Sequence, residues 1–428
     1  MNFIFISPGF PNNYYRFCQS LKKDGVNVLG IGDMPYDQLN PELIKSLTEY
    51  YRVNDLGNYE EMRRAVAFFI FKYGKIDWLE SNNEYWLEQD SRLRTDFNIT
   101  TGWKEADIAK VKYKSQMKKY YEIAGVKTAR WHLVDNEEDC LDFIKEVSYP
   151  VIVKPDCGVG ASHTYRLKNK ADLDEFFKTK DKKISYIMEE YVDGTITTFD
   201  GVTDNLCEPL YYASYSETDS LMDVVNENKD TWYFVKKDIE PELIEAGKRT
   251  LLAFGCYNRY FHLEFFKANS DKPGRWKKGE IIALEVNMRP AGGYTPDMES
   301  YSGDVDLYQI WADMITKKLT HAFLPKERNF CVYAAKRAEY SYAHSDADIK
   351  KKYAANMKMS GEIPFALQND LGKDFYMALF PTFDEVLAFE SYVLEKVKKE
   401  EKPKPVEEAK PEVEKPASNK AEANPKKQ

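Results

Sequence analysis

The chain has 428 residues, room for two or three domains, and its 43% hydrophobic and 14% aromatic content predicts a large folded core. A formal charge of −9, with acids and bases mixed, argues against nucleic-acid binding through a general basic surface. No apolar run reaches the roughly 18 residues of a membrane helix, the N-terminus lacks the marks of a signal peptide, and the six cysteines form neither a C-x-x-C pair nor a zinc spacing. Reduced thiols in a cytoplasmic protein are expected.

Asn2–Ile6 reads as a short apolar strand, residues 14–23 as a helix ended by Gly25, and residues 26–31 as a second strand. This is the β-loop-α-β opening of a doubly wound sheet. The loop 7–11, Ser-Pro-Gly-Phe-Pro, has no G-x-G-x-x-G, so a dinucleotide fingerprint is absent. Helical spacing of apolar residues predicts a helix over Tyr59–Tyr73, and residues 76–81 read as another strand. Ligands of such sheets gather beyond the carboxyl ends of the strands. Glu84 is therefore a candidate substrate contact, with an ordinary helix N-terminal acid an equal alternative. Residues 104–123 read as one long Lys-rich helix closed by Gly125, and residues 126–134 as extended.

Residues 149–155, Tyr-Pro-Val-Ile-Val-Lys-Pro, make a buried strand that presents Lys154 and stops at Pro155. The next loop, 156–164, contains Gly158, Gly160, Ala161 and Ser162, small residues that let backbone N–H groups approach phosphate oxygens. A lysine at the end of a buried strand beside such a loop suits nucleotide phosphates. An ordinary turn fits the same letters, and no Gly-Lys-Ser/Thr of a Walker A sequence closes the loop. A helix is expected over 172–178. Residues 184–194 form a strand ending in Glu189, Glu190, Tyr191 and Val192, whose backbone can imitate a base pair and read adenine; two exposed acids before a turn are the plainer alternative. Residues 195–202, 210–215 and 232–235 read as strands and Pro241–Phe254 as a helix with its proline near the start.

Residues 281–293, Ile-Ile-Ala-Leu-Glu-Val-Asn-Met-Arg-Pro-Ala-Gly-Gly, open as a strand. Alternation turns Glu285, Asn287 and Arg289 to one face and Leu284, Val286 and Met288 to the other. A carboxylate, an amide oxygen and a guanidinium suit a Mg²⁺-bound phosphate, because Mg²⁺ wants hard oxygens and keeps only one or two carboxylates beside the phosphates. Residues 260–266 form the partner strand across a hairpin loop at 267–279, which sets Glu264 opposite Glu285. Like charges so placed are unfavourable, and a divalent cation between them removes the objection. A lone E-x-N is more simply a solvated edge; the partner strand and the Arg-Pro-x-Gly-Gly tail count against that. His262 shares the face of Glu264, and packing beside the hairpin is its expected role, ahead of substrate contact. A helix at 304–316, strands at 330–339 and 375–380 and a helix at 383–398 follow. The remainder is Lys, Glu, Pro, Ala and Asn, too polar to offset its ordering entropy.

Four pieces thus stand in one order: Lys114 with Met117 ahead of Gly125, Val-Lys-Pro with a small-residue loop, Glu-Glu-Tyr-Val-x-Gly, and Glu264 paired with Glu285-x-Asn287-x-Arg289. This order resembles the ATP-grasp superfamily, specifically its carboxylate–amine ligase branch, over residues 80–320. The resemblance implies an α/β class, α+β in the nucleotide-binding part. A pre-ATP-grasp, Rossmann-like doubly wound domain would occupy 1–103 and an ATP-grasp fold of two α+β subdomains 104–325, with a small lid over 128–190. A C-terminal α/β extension packed on the core would occupy 326–397 and a disordered charged tail 398–428. Lys114, with Lys112 a near competitor, and Lys154 resemble the ATP-phosphate lysines. Gly158, Gly160, Ala161 and Ser162 resemble the phosphate-covering loop, and Glu189, Glu190, Tyr191 and Val192 the adenine-reading hinge. Glu264, Glu285 and Asn287 resemble the magnesium ligands, Arg289 the arginine that with Lys154 steadies the transferred phosphate, and Gly292 and Gly293 the turn beside the carboxylate substrate. ATP and Mg²⁺ or Mn²⁺ are the implied cofactors, a small carboxylate and an amine the implied substrates, and a homodimer a common assembly of the family; neither nucleic acid nor a membrane is implied. The substrate pocket is expected from loops 7–11, 82–86 and 214–228. One departure stands out: where many members carry a ribose-binding acid, this chain has Thr195-Ile-Thr-Thr, with Asp200 further on. A nucleotide-binding interaction protein without turnover is the competing reading. A biotin-type carboxylase is weaker, since Lys358 between Met357 and Met359 lacks the rest of a carrier sequence and reads as coincidence.

Overall fold

The strand Asn2–Ile6 is buried on both faces because each face meets its own layer. Phe3 and Phe5 pack with Phe17, Trp78 and Trp311, while Ile4 and Ile6 pack with Leu29, Met62, Val66 and Phe69. Such a strand needs parallel neighbours covered by helices. It has them: Asn27–Gly32 and Trp78–Glu80 flank it in parallel, and Glu49–Arg52 completes a four-stranded sheet. Helix Tyr59–Tyr73 covers one face, capped by the Asn58 side chain and stopped at Gly74. These are the elements of a computed structural model that describes residues 1–158, 163–217, 228–317, 319 and 321–397. Gly160, Ala161 and Ser162, residues 218–227 of the expected substrate loops, and the tail at 398–428 lie outside the described residues.

A second sheet, four-stranded and antiparallel, runs in the order Trp131–Leu133, Tyr186–Glu190, Val151–Pro155, Tyr165–Leu167. Helices Glu137–Val147 and Lys170–Thr179 cover one face of it, through Cys140, Phe143, Ile144, Leu173 and Phe176. The third sheet is antiparallel and has nine strands among the described residues. From one edge these are Ile281–Asn287, Tyr260–Ala268, Gly194–Thr203, Tyr215–Glu217, Thr231–Val235, Phe330–Lys336, Asp374–Phe380 and Met357–Glu362, with Pro209–Ala213 also paired to Gly194–Thr203. The C-terminal strands therefore hydrogen-bond into the sheet that carries Glu264 and Glu285; they are more than a layer packed against it.

Three expectations need correction. The single helix over 104–123 is broken. A short helix Ala109–Lys112 ends at Tyr113, which is extended (φ −99°, ψ 120°), and helix Lys114–Ala124 starts afresh. The reason is a cap supplied by a distant segment: Lys114 N–H donates to Asp156 O at 2.8 Å and Ser115 N–H to Asp156 Oδ1 at 2.7 Å. The helix expected over 304–316 begins only at Leu307, and helix Thr295–Gly303 precedes it around a buried Asp297 that Arg16, Asn13 and Tyr308 hold. The small-residue loop was expected to return as a strand over Ser162–Leu167; among the described residues that strand is Tyr165–Leu167.

Helix Pro241–Phe254 matches its predicted limits and lies against the Gly194–Thr203 strand so closely that a Cβ on Gly247 would come within 2.2 Å of the Phe199 ring. Overpacking of this kind costs about 1–3 kcal/mol. Gly247→Ala is expected to lower stability by that amount despite alanine's better helix propensity, read as a shift of the denaturant midpoint. An unchanged or raised midpoint would contradict this packing.

Candidate active site

The hairpin register sets Glu264 directly opposite Glu285 and His262 opposite Asn287. Each acid has found a different cation. Lys114, at the first turn of the restarted helix, places Nζ 2.9 Å from Glu285 Oε1 and donates to Gly158 O at 3.3 Å. Burial pulls the Lys114 ammonium down, but Glu285 and the other acids nearby win, and its pKa lies above the ordinary lysine value. Glu264 Oε1 lies 3.1 Å from His262 Nε2 and 3.5 Å from Asn287 Nδ2. Burial pushes the Glu264 carboxyl up, but His262 outweighs it and the net direction is down. The next residue on the Glu285 face, Arg289, has Nε 3.8 Å from Glu84 Oε2. Glu84 reaches it from the short helical turn after strand Trp78–Glu80, at the carboxyl end of the first sheet. Burial raises the Glu84 pKa against the pull of Arg289. Asn13 Nδ2 donates to Gly293 O at 3.1 Å and Tyr14 Oη to Asn82 O at 2.7 Å, so the start of the chain, the 82–86 turn and the Gly292-Gly293 turn meet at one place.

The second sheet contributes Lys154 and Glu189, 2.8 Å apart and both buried. Lys118 completes this group against Glu189. Burial alone would raise the Glu189 carboxyl; Lys118 and Lys154 hold it down at about 2. Burial lowers Lys118. The sequence reading missed Lys118, although it sits four residues after Lys114 and hence on the same helical face. Lys112, the competitor of Lys114, turns to the surface and pairs with Glu88. Glu190 points away from Glu189, as strand alternation requires. It is bound by Arg130 at 2.9 Å, Lys272 at 2.9 Å and Arg275 at 2.7 Å. Neither acid is the exposed residue of the plainer alternative. Arg166 lies 4.3 Å over the Tyr191 ring, and Val192 is buried beside Ala129, Trp276 and Ile282. Asp200 is buried 2.6 Å from His262 Nδ1. His262 was expected to pack beside the hairpin; it does so as a charged bridge, its pKa raised to about 10 because Asp200 and Glu264 outweigh burial.

Residues 109–195, the stretch from the broken helix through Lys154 to the hinge, match the family described as the carbamoyl-phosphate synthase L chain, ATP binding domain. With three sheets and a charged cleft in this order, the chain has the ATP-grasp fold. It is similar to the L-arginine-specific L-amino acid ligase of Bacillus subtilis, 24% identical over 274 residues, 60% of this chain and 62% of that protein. The chain thus spans less than two thirds of that relative's length. Among solved structures it resembles the L-amino acid ligase from Bacillus licheniformis, with a TM-score of 0.67 and 13% identity over 91% of this chain and 95% of that one. It also resembles the biotin carboxylase domain dimer of Hydrogenobacter thermophilus 2-oxoglutarate carboxylase, in complex with MgADP and bicarbonate, with a TM-score of 0.64 and 15% identity over 92% and 90% of the chains. At these identities the structures speak for the fold. No helix among the described residues is long and apolar enough to cross a membrane, and the six cysteines are free.

The Glu189 pairing has a pH signature. Its folded pKa of about 2 lies below its ordinary 4.5, so the unfolded chain binds more protons between those values. The stabilisation is complete above the unfolded value and is lost as pH falls through the folded one. Glu189→Gln leaves Lys118 and Lys154 buried without their acid, which typically costs about 3–5 kcal/mol. That deficit is expected in full near neutral pH and is expected to shrink as pH falls toward about 2. Denaturant unfolding of both proteins across this range measures it, and a deficit independent of pH would contradict the assignment.

Proposed function

We propose that this protein is an ATP- and Mg²⁺-dependent ligase that joins a carboxylic acid, an amino acid in particular, to an amine through an acyl-phosphate, releasing ADP and phosphate. The observation that carries this reading is the facing pair Glu264 and Glu285 with Lys114, Asn287 and Arg289 around it. The donor set fits a hard divalent cation. Among the described residues no three His, Cys, Asp or Glu side chains form a metal centre by themselves, but Mg²⁺ asks only one or two carboxylates of the protein when phosphates complete its shell. Glu264, Glu285 and Asn287 would hold it. When bound, it would neutralise charge on the phosphate oxygens.

The chain's own groups supply the rest. Lys114, from its helix, and Lys154, from the second sheet, would present positive charge to the phosphates. Arg289 would face the region where carboxylate and γ-phosphate meet, and Gly158 would supply a backbone N–H group; the roles expected of Gly160, Ala161 and Ser162 fall outside the described residues. Tyr191 and Val192 would present the hinge backbone to adenine, while Glu189 and Glu190 anchor it. Positioning and a fixed field account for most of phosphoryl transfer, so no nucleophilic side chain is needed. The domain division at 1–103, 104–325 and 326–397 belongs to the same reading, with the 128–190 segment as the lid. The likeness to amino acid ligases supports amino acids as the carboxylate class.

ADP release measured across pairs of L-amino acids tests the reaction. At least one pair is expected to stimulate release, and Glu285→Ala is expected to cut it by about 10³-fold, or about 4 kcal/mol of transition-state stabilisation. Undiminished turnover in Glu285→Ala would remove that residue from the reaction. A wild-type protein that binds ATP yet is stimulated by no pair would leave a nucleotide-binding protein without ligase activity.

A further inference from the structure

Strand Tyr260–Ala268 carries a histidine two residues before Glu264, and the pleat turns both to one face. His262 is 3% exposed and lies directly across from Asp200 on the neighbouring strand. Its ring is held at both edges, Nδ1 2.6 Å from Asp200 Oδ1 and Nε2 3.1 Å from Glu264 Oε1. The Tyr215 ring stacks on it with centroids 5.8 Å apart and planes 18° apart. Asp200 in turn accepts from Thr198 Oγ1, and that hydroxyl accepts from the Tyr215 backbone N–H at 3.0 Å. The ring cannot turn without giving up a carboxylate, and neither can Asp200 without giving up the ring. The two facing acids are thus unequal. Glu285 has a lysine at 2.9 Å, whereas Glu264, 26% exposed at its side chain, is met by the imidazole and a long contact to Asn287.

We propose that Asp200 and His262 form a positioning pair that fixes the Glu264 carboxylate in the orientation a divalent cation requires. The inference rests on the metal-site reading of Glu264, Glu285 and Asn287. A free glutamate must give up side-chain rotamer freedom when it ligates. A carboxylate already held on one oxygen by a buried, stacked ring has given up most of it, and partners that orient a ligand are typically worth 10–100-fold in metal affinity. The pair also accounts for Asp200. It is the first acid in the strand after the hinge, yet it is buried and committed to His262, so it cannot stand in for a ribose-binding acid.

The test uses the full-length protein saturated with ADP and Mn²⁺ as the probe, with free Mn²⁺ followed by its paramagnetic resonance. His262→Gln keeps a donor but cannot bridge two acids; Asp200→Asn keeps the shape of the anchor and removes its charge. Each is expected to weaken Mn²⁺ binding by about 10–100-fold. The double variant is expected to lose no more than the stronger single one, because both act through one carboxylate. ADP affinity without metal is expected to stay at the wild-type value. Unchanged Mn²⁺ affinity in Asp200→Asn, the variant that carries the test if His262→Gln does not fold, overturns the positioning role and leaves the metal site standing. A parallel loss of metal-free ADP affinity marks a general packing role and overturns it as well. Wild-type protein that binds ADP but no Mn²⁺ overturns the metal site, and the pair's role with it.

Discussion

Carboxylates set opposite each other on adjacent antiparallel strands repel, and the surroundings of Glu264 and Glu285 are organised by that repulsion. Glu264 is answered within its own hairpin by His262, whereas Glu285 is answered from outside it. Relief comes from helix Lys114–Ala124, which presents Lys114 only because the chain breaks at Tyr113 and restarts under a cap from Asp156. Asp156 follows directly on the strand that carries Lys154. One local device, a side chain closing a helix from 41 residues away, thereby fixes two lysines of the cleft relative to each other. Removing the cap would cost more than its own roughly 1 kcal/mol, because it would also set free the buried lysine that answers Glu285.

The strand Tyr186–Glu190 applies the same logic on its two faces. Glu189 turns toward the cleft and holds Lys118 and Lys154; Glu190 turns away and holds Arg130, Lys272 and Arg275. Lys272 and Arg275 belong to the hairpin loop between the Glu264 and Glu285 strands, which is longer and more charged than a connection of two strands needs. Its length has a use here: it reaches the second sheet and binds an acid whose carboxyl is held at about 2, against the pull of burial, by Arg130, Lys272 and Arg275. The hairpin that carries the facing acids is therefore also the element that ties the two antiparallel sheets together.

What the sequence disclosed divides along a physical line. The facing of Glu264 and Glu285 was legible because a hairpin and a period of two leave little freedom of register. Helices Tyr59–Tyr73 and Pro241–Phe254 were legible because apolar spacing and capping agree. Helix Leu87–Asp96 gave no such signal: its buried face carries Asp90, Ser91 and Arg94, and Arg94 pairs with Glu80 at 2.8 Å, so hydrophobic periodicity was silent. The break at Tyr113 was hidden for a related reason, since helical letters run through it and the cap lies elsewhere in the chain. The bond of Asp200 to His262 depends on strand Gly194–Thr203 lying beside Tyr260–Ala268, a pairing across 62 residues that no local pattern encodes. Lys118 was the one omission the sequence could have prevented, by its spacing from Lys114.

The same residues explain why the cleft lies where three sheets meet. Glu84 comes from the carboxyl end of the first sheet, Lys154 and Glu189 from the second, Glu264, Glu285, Asn287 and Arg289 from the edge hairpin of the third, and Lys114 and Lys118 from the helix between them. No single layer is balanced by itself. The third sheet brings two facing acids and lacks a lysine at the pair; the helix brings two buried lysines and no buried acid; the second sheet turns one acid, Glu189, to the cleft, where it serves lysines from two elements. Buried charges are tolerated only when paired, so each layer has its charges answered only once the others are in place. A cleft built this way needs no cavity carved from the core. It is the seam at which incomplete charge sets close on one another, and that seam holds hard oxygens and ammonium groups a few ångströms apart, the arrangement that a phosphate and a divalent cation together can exchange into.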